Sequence, residues 1–304
     1  MRFNMDDEIY EKYMQAGKIA AEAREYGAKL IKPGVRFLNV TNKIESKIQK
    51  NGAGLAFPVN ISINKIAAHY SPRHDDTSVF MEGDVVKLDV GAHIDGYIAD
   101  TAITIEVGTN NHEAIINASK DALNNAIKLM KANIDLSQIG KVIEDTITSF
   151  GYKPIDNLTG HGLKRYELHS GMSIPNVSNS LSKIKPKAGD VVAIEPFATN
   201  GAGHVVSGKG SNIYICTAPL RSKFIRDPKS RFLLKRLNDK FKTLPFAERW
   251  CINTIPNVDV SLRKLSFLGV VNQFPQLIEK DNGIVTQTEH TVIVTKDGCE
   301  VTTS

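Results

Sequence analysis

Asp89 interrupts an apolar run, Val85-Val86-Lys87-Leu88-Asp89-Val90. A buried carboxylate without a partner is costly, so this acid either faces solvent or holds a cation. The next β-patterned run, Tyr97-Ile98-Ala99-Asp100-Thr101-Ala102, carries a second acid. Between them His93-Ile94-Asp95-Gly96 reads as a hairpin loop. A four-residue loop predicts that Asp89 faces Asp100 directly across the ladder, with Cβ atoms about 4.5–5.5 Å apart. Like charges so placed repel, and divalent cations remove the conflict.

His161 lies in Thr159-Gly160-His161-Gly162, where flanking glycines let the backbone approach closely and the imidazole project. His169 follows eight residues later, and His69 follows the alternating run FPVNISIN at 57–64. Either of these two, taken alone, reads as a structural histidine. Glu289 sits in the strongly β-patterned Thr288-Glu289-His290-Thr291-Val292-Ile293-Val294, whereas Glu279 and Glu300 lie in turn-like sequence. With Glu195, whose place comes from the repeat described next, the set is Asp89, Asp100, His161, Glu195 and Glu289. Four carboxylates and an imidazole suit two divalent ions such as Mn, Fe(II), Co or Zn. Two such ions activate water and polarise a carbonyl, which is the chemistry of hydrolysis.

The elements that must position these side chains repeat. Val40, Ile44 and Ile48 mark one face of a helix, and Ile139, Ile143 and Ile147 repeat it 99 residues later (139 − 40). Each helix is preceded by a longer helical pattern, at 8–31 and 113–131, and followed by a stop glycine, Gly52 or Gly151. The strand that follows reads EGDVVKLDVG at 82–91 and AGDVVAIEPF at 188–197, which places Glu195 where Asp89 stands in the first copy. Two halves of two helices plus antiparallel strands predict an α+β domain with pseudo-two-fold symmetry, its acids meeting at the shared interface.

Glu195 and Glu289 are 94 residues apart (289 − 195). The stretch 217–280 breaks the strand pattern, with helical runs at 230–237 and 261–268 and breakers Pro245, Pro256 and Pro275. It reads as a helical subdomain inserted into a catalytic domain made of residues 1–216 and 281–304. Ten basic residues fall between 221 and 249: Arg221, Lys223, Arg226, Lys229, Arg231, Lys235, Arg236, Lys240, Lys242 and Arg249. Three acids accompany them, giving +7 (10 − 3) in a chain of net +5. Such a surface is either a solvated helix face or a contact for ribosomal RNA, without sequence readout.

Composition bounds the rest. The 304 residues are 41% hydrophobic and 23% charged, ordinary globular usage that excludes a fibrous or disordered chain. No apolar run reaches the roughly 18 residues of a membrane helix. Three widely spaced cysteines and an acidic N-terminal stretch point to a cytoplasmic protein whose metal ligands are His, Asp and Glu. A monomer is expected, although nothing in the sequence fixes the oligomeric state. Walker, dinucleotide and nucleophile-elbow motifs are absent.

With these motifs in hand, the chain resembles the type II methionine aminopeptidases of the archaeal sort. The resemblance spans essentially the whole chain. It rests on FPVNISINKIAAHYSP (57–72), LDVGAHIDGYIAD (88–100), GHGLKRYELHSG (160–171), IEPFAT (194–199) and TEHTVIV (288–294). It implies the pita-bread fold, with an antiparallel sheet flanked by helices and a helical insertion. It implies that Asp89 serves one metal and His161 the other, that Asp100 and Glu289 bridge them, and that Glu195 completes the ligand set of the second ion and shuttles the proton. His69 and His169 would line the substrate and polarise the scissile amide, and Phe57 would line the methionine pocket. The implied reaction removes the initiator methionine from nascent proteins and peptides whose second residue is small. An X-Pro peptidase of the same fold is the nearest rival, although its last two glutamates usually lie close together. A non-catalytic binding relative is the other rival, and here all five ligand positions are filled.

Overall fold

Two pairs of helices, each backing one half of a sheet, follow from the repeated helical faces. The computed structural model describes residues 5–178, 184–217 and 225–304. Helix α1 spans Asp7–Leu30 and α2 Phe37–Lys50; α3 spans Glu113–Leu129 and α4 Leu136–Ser149. The second and fourth helices begin 99 residues apart (136 − 37) and end 99 apart (149 − 50), as the repeat predicts. Gly52 and Gly151 stop them at φ 86° and 82°, a conformation that a Cβ disfavours. Asp6 caps α1 and Asp135 caps α4, each through a side-chain oxygen that accepts a backbone N–H of the first turn.

The helices cover a nine-stranded antiparallel sheet. Its order runs Gly54–Leu55, Val85–Ile94, Tyr97–Glu106, Glu289–Val294, Val191–Ile194, Thr159–Leu163 and Ser173–Pro175. Asn60–Ile63 and Cys299–Val301 pair off this path, with Val85–Ile94 and Glu289–Val294 respectively. One apolar core joins α1 and α2 to the first half through Val40, Ile44, Ile48 and Leu88. Its counterpart joins α3 and α4 to the second half through Ile139, Ile143, Ile147 and Val192. The halves are not equal copies. The first-half strand runs ten residues, but Val191–Ile194 stops after four. Pro196 lacks an N–H for the ladder, and the chain leaves to pair as Phe197–Thr199 in a separate three-stranded sheet.

The stretch 217–280 departs in part from its helical expectation. Helix α5, Pro228–Phe241, and α6, Val258–Phe267, enclose a small core of their own that includes Leu233, Leu237, Leu262 and Leu265. Val271–Glu279, however, is a strand, paired with Val205–Cys216 and with Ile66–Ala68. Pro275 had read as a breaker; it sits beside a register shift, where a missing N–H is tolerated. Glu279 is buried rather than solvated, and its carboxylate accepts the backbone N–H groups of Ala202, Gly203, Asp281 and Gly283.

The basic stretch is likewise altered. Arg221 and Lys223 lie outside the described residues. Arg249 is no surface charge, because it pairs with the buried Glu45 of α2. No helix among the described residues is long and apolar enough to cross a membrane.

Candidate metal centre

Val85–Ile94 and Tyr97–Glu106 are joined by a two-residue turn, not the four-residue loop expected. Asp95 and Gly96 take φ 51° and 88°, the pair of positive angles that a type I′ turn requires and Asp-Gly supplies. Asp89 therefore pairs with Ala102 and Asp100 with Gly91. The slip from expectation is two residues, which leaves every side chain on its face. The two acids meet diagonally instead of directly, and each still perturbs the other's ionisation.

The ladders set the acids and His161 in two neighbouring rows. In one, Asp89 pairs with Ala102, which pairs with Glu289. Glu195 lies just past the Ile194–His290 pair, at the end of the same row. In the other, His161 pairs with Ala193, which pairs with Thr291. Asp100 joins that row by donating its N–H to Thr291 Oγ1 and accepting the Thr291 hydroxyl on its carbonyl, both at 2.8 Å. The two rows are two residues apart along each strand, so their side chains share a face. His161 depends on its glycines: a Cβ on Gly160 would sit 2.3 Å from the Ala193 carbonyl oxygen.

The result is a convergence of anionic groups. Ligand atoms of Asp100, His161 and Glu289 lie within 4.8 Å of one another. His161 Nε2 is 3.6 Å from Asp100 Oδ2 and 3.6 Å from Glu195 Oε1. Asp89 Oδ1, Asp100 Oδ1 and Glu289 Oε1 are buried with no hydrogen-bond partner. Burial pushes Asp89 up to about 7. Burial, then the charges of Asp89 and Glu195, pushes Asp100 well above the carboxylate range. Glu195 rises through burial and then Asp89, and Glu289 through burial and then Asp100, with Arg24 tempering only Glu289. Burial, then His169, holds His161 down to about 3 and His69 down to about 4. Neutral imidazole and oxygen donors that repel one another unless a cation lies among them fit a divalent metal.

A cavity of about 70 Å³ opens onto this cluster. It brings together every residue singled out from the sequence: Phe57, His69, Asp89, Asp100, His161, His169, Glu195 and Glu289. The His161 and His169 rings lie edge to face, with centroids 4.3 Å apart. His69 takes φ 64° directly after the strand Ile66–Ala68 and packs edge-on against Phe274. Leu168, Ile213, Pro245 and Phe274 complete an apolar wall that sequence reasoning did not anticipate. Gln287 was missed as well. Its Nε2 donates to Glu195 Oε2 at 3.1 Å and to Glu289 Oε2 at 3.4 Å. The signal available was its place two residues before Glu289 in a β-patterned run.

The chain belongs to metallopeptidase family M24, whose model matches residues 11–296. Within that family, relatives that span it end to end are methionine aminopeptidases. The enzyme of Methanocaldococcus jannaschii is 47% identical over 98% of this chain and 100% of its own. That of Pyrococcus abyssi is 46% identical over 96% and 99%. The crystal structure of the Thermotoga maritima methionine aminopeptidase, 24% identical, superposes with a TM-score of 0.72 over 100% of this chain and 99% of that one. The fold is the pita-bread fold that these structures share.

Proposed function

We propose that the protein removes the N-terminal methionine from nascent proteins and peptides whose second residue is small. Asp89, Asp100, His161, Glu195 and Glu289 hold two divalent ions, of Co, Mn, Fe(II) or Zn. Bound there, the ions supply an activated water and a Lewis acid for the scissile carbonyl. Glu195 takes a proton from the nucleophile and returns it to the leaving nitrogen. His169 donates to the developing oxyanion, and His69 hydrogen-bonds the scissile amide. Phe57, with Leu168 and Phe274, takes the apolar methionine side chain. The observation that carries this reading is the convergence of four carboxylates, Asp100 and Glu289 buried and Asp89 and Glu195 half-buried, and an imidazole on one partly apolar cavity.

The test compares Met-Ala-Ser with Ala-Pro peptides, each with and without chelator. Chelator-sensitive release of methionine alone supports the reading. Cleavage of Ala-Pro peptides instead would indicate an X-Pro peptidase, and no cleavage with any divalent ion a binding protein.

The proposal extends to a ribosomal contact through the insertion. Arg226, Lys229, Lys235, Arg236, Lys240 and Lys242 are exposed on and beside α5. Reversing four of these charges is expected to abolish salt-sensitive co-sedimentation with ribosomes. Unchanged co-sedimentation would remove the contact.

A further inference from the structure

Asn60 has no part in the chemistry above, yet it is 4% exposed and lines the same cavity. It lies on the strand Asn60–Ile63, directly opposite Asp89 in the ladder, so both side chains leave the sheet on one face. Its orientation is fixed by chemistry. The amide Nδ2 donates to the Pro58 carbonyl at 2.8 Å. A carbonyl only accepts, so turning the amide over would set two acceptors against each other. The other end, Oδ1, is therefore an acceptor, and it is buried without a partner. An unmet buried acceptor is expensive in a folded protein unless water or a ligand supplies the donor.

The surroundings indicate which donor. Phe57 lies three residues before Asn60, and its ring packs over Gly91, where a Cβ would sit 2.2 Å from Phe57 Cε1. Asn60 thus lines the cavity together with an apolar surface and the carboxylates, flanked by Phe57 along the chain and by Asp89 across the ladder. In an N-terminal residue the group attached between an apolar side chain and the reacting carbonyl is the α-amino group, and it carries N–H donors.

We infer that Asn60 Oδ1 accepts a hydrogen bond from the free α-amino group of the substrate. This makes Asn60 a substrate-binding residue that selects chain ends over internal peptide bonds. The inference rests on the proposed aminopeptidase function and deepens it. An interior amide or a blocked terminus places an acyl group where the amino group should be, and leaves Oδ1 unmet.

The test is calorimetry on the metal-loaded protein with two probes, L-methionine and 4-(methylthio)butanoate, which differ only in the amino group. Wild type, Asn60→Ala and the nearly isosteric Asn60→Leu are compared, with metal content measured for each. The expected result is tighter wild-type binding of L-methionine than of 4-(methylthio)butanoate. Both variants should lose about 10–100-fold for L-methionine and change by less than about threefold for the other probe. Equal weakening of both probes, an undiminished preference for the amine, or loss of metal from either variant would overturn the inference. Failure of the underlying function reads differently, as wild type that does not cleave Met-Ala-Ser with any divalent ion.

Discussion

The pair Glu45–Arg249 ties the stretch 217–280 to the first half of the fold, and its removal has a calculable cost. Glu45 on α2 is 6% exposed. It accepts from the Arg249 guanidinium, from Trp250 Nε1 at 2.8 Å and from the Val59 N–H at 3.3 Å. Arg249 Nη1 also donates to Ser71 Oγ at 2.8 Å and to the Pro72 carbonyl at 3.1 Å. Burial pushes Glu45 up and Arg249 down, and in each case it outweighs the attraction of the partner. The pair therefore stabilises the fold little relative to an apolar pair, while a lone member is costly. Arg249→Met, which strands the Glu45 carboxylate, should destabilise by about 3–5 kcal/mol. At roughly 2 °C per kcal/mol for a chain of this size, Tm should fall by about 6–10 °C. Glu45→Leu with Arg249→Met should recover more than half of that loss. Scanning calorimetry of the four proteins of this cycle, all metal-saturated, reads both numbers. A fall below about 2 °C in the single variant, or strictly additive losses in the double, would refute the reasoning and show that water already solvates the pair.

Three further outcomes follow from the centre itself. Gly160→Ala forces a Cβ against the Ala193 carbonyl oxygen, so the strands bearing His161 and Ala193 must part. Calorimetry should show a loss of about 1–3 kcal/mol and metal titration a weaker site; a fully active, equally stable variant would contradict the packing. The metal-free protein should lose Tm as pH rises from about 6.5 to 8. Carboxyl groups raised in the folded state favour the protonated form, so their contribution is present at low pH and is lost as pH climbs, through about 7 for Asp89, with Asp100, Glu195 and Glu289 raised in the same direction. The lowered histidines act in the opposite sense, but only below their ordinary value near 6.5. Saturating metal should flatten the slope, and a chelated protein with a flat profile across pH 7 would contradict the assignment. Asp100→Asn replaces a carboxyl whose ionisation burial and its neighbours oppose, so it should raise the Tm of the metal-free form and abolish the gain on adding metal. A lowered metal-free Tm would show that the carboxylates are not in conflict.

What was legible in the sequence was whatever repeats or interrupts a pattern. The 99-residue displacement located two helix pairs because burial imposes the same apolar face on each copy. Asp89 in an apolar strand and His161 between glycines declared themselves as misfits. The hairpin register went astray because Asp-Gly was read within a longer loop, although the pair alone satisfies both positive φ angles of a two-residue turn. The strand 271–279 was hidden by Pro275, whose tolerance depends on a neighbouring irregularity that only the partner strand reveals. Gln287, Asn60 and Arg249 carried no local anomaly. Their roles come from groups 92, 29 and 204 residues away, Glu195, Asp89 and Glu45 (89 − 60 for the second).

If both halves of the repeat hold a common pair of divalent ions, anomalous diffraction from crystals grown with Mn or Co, collected on each side of the metal edge, should show two peaks close together, bounded by Asp89, Asp100, His161, Glu195 and Glu289. No peak there, or a peak elsewhere with these five side chains left unliganded, would contradict it.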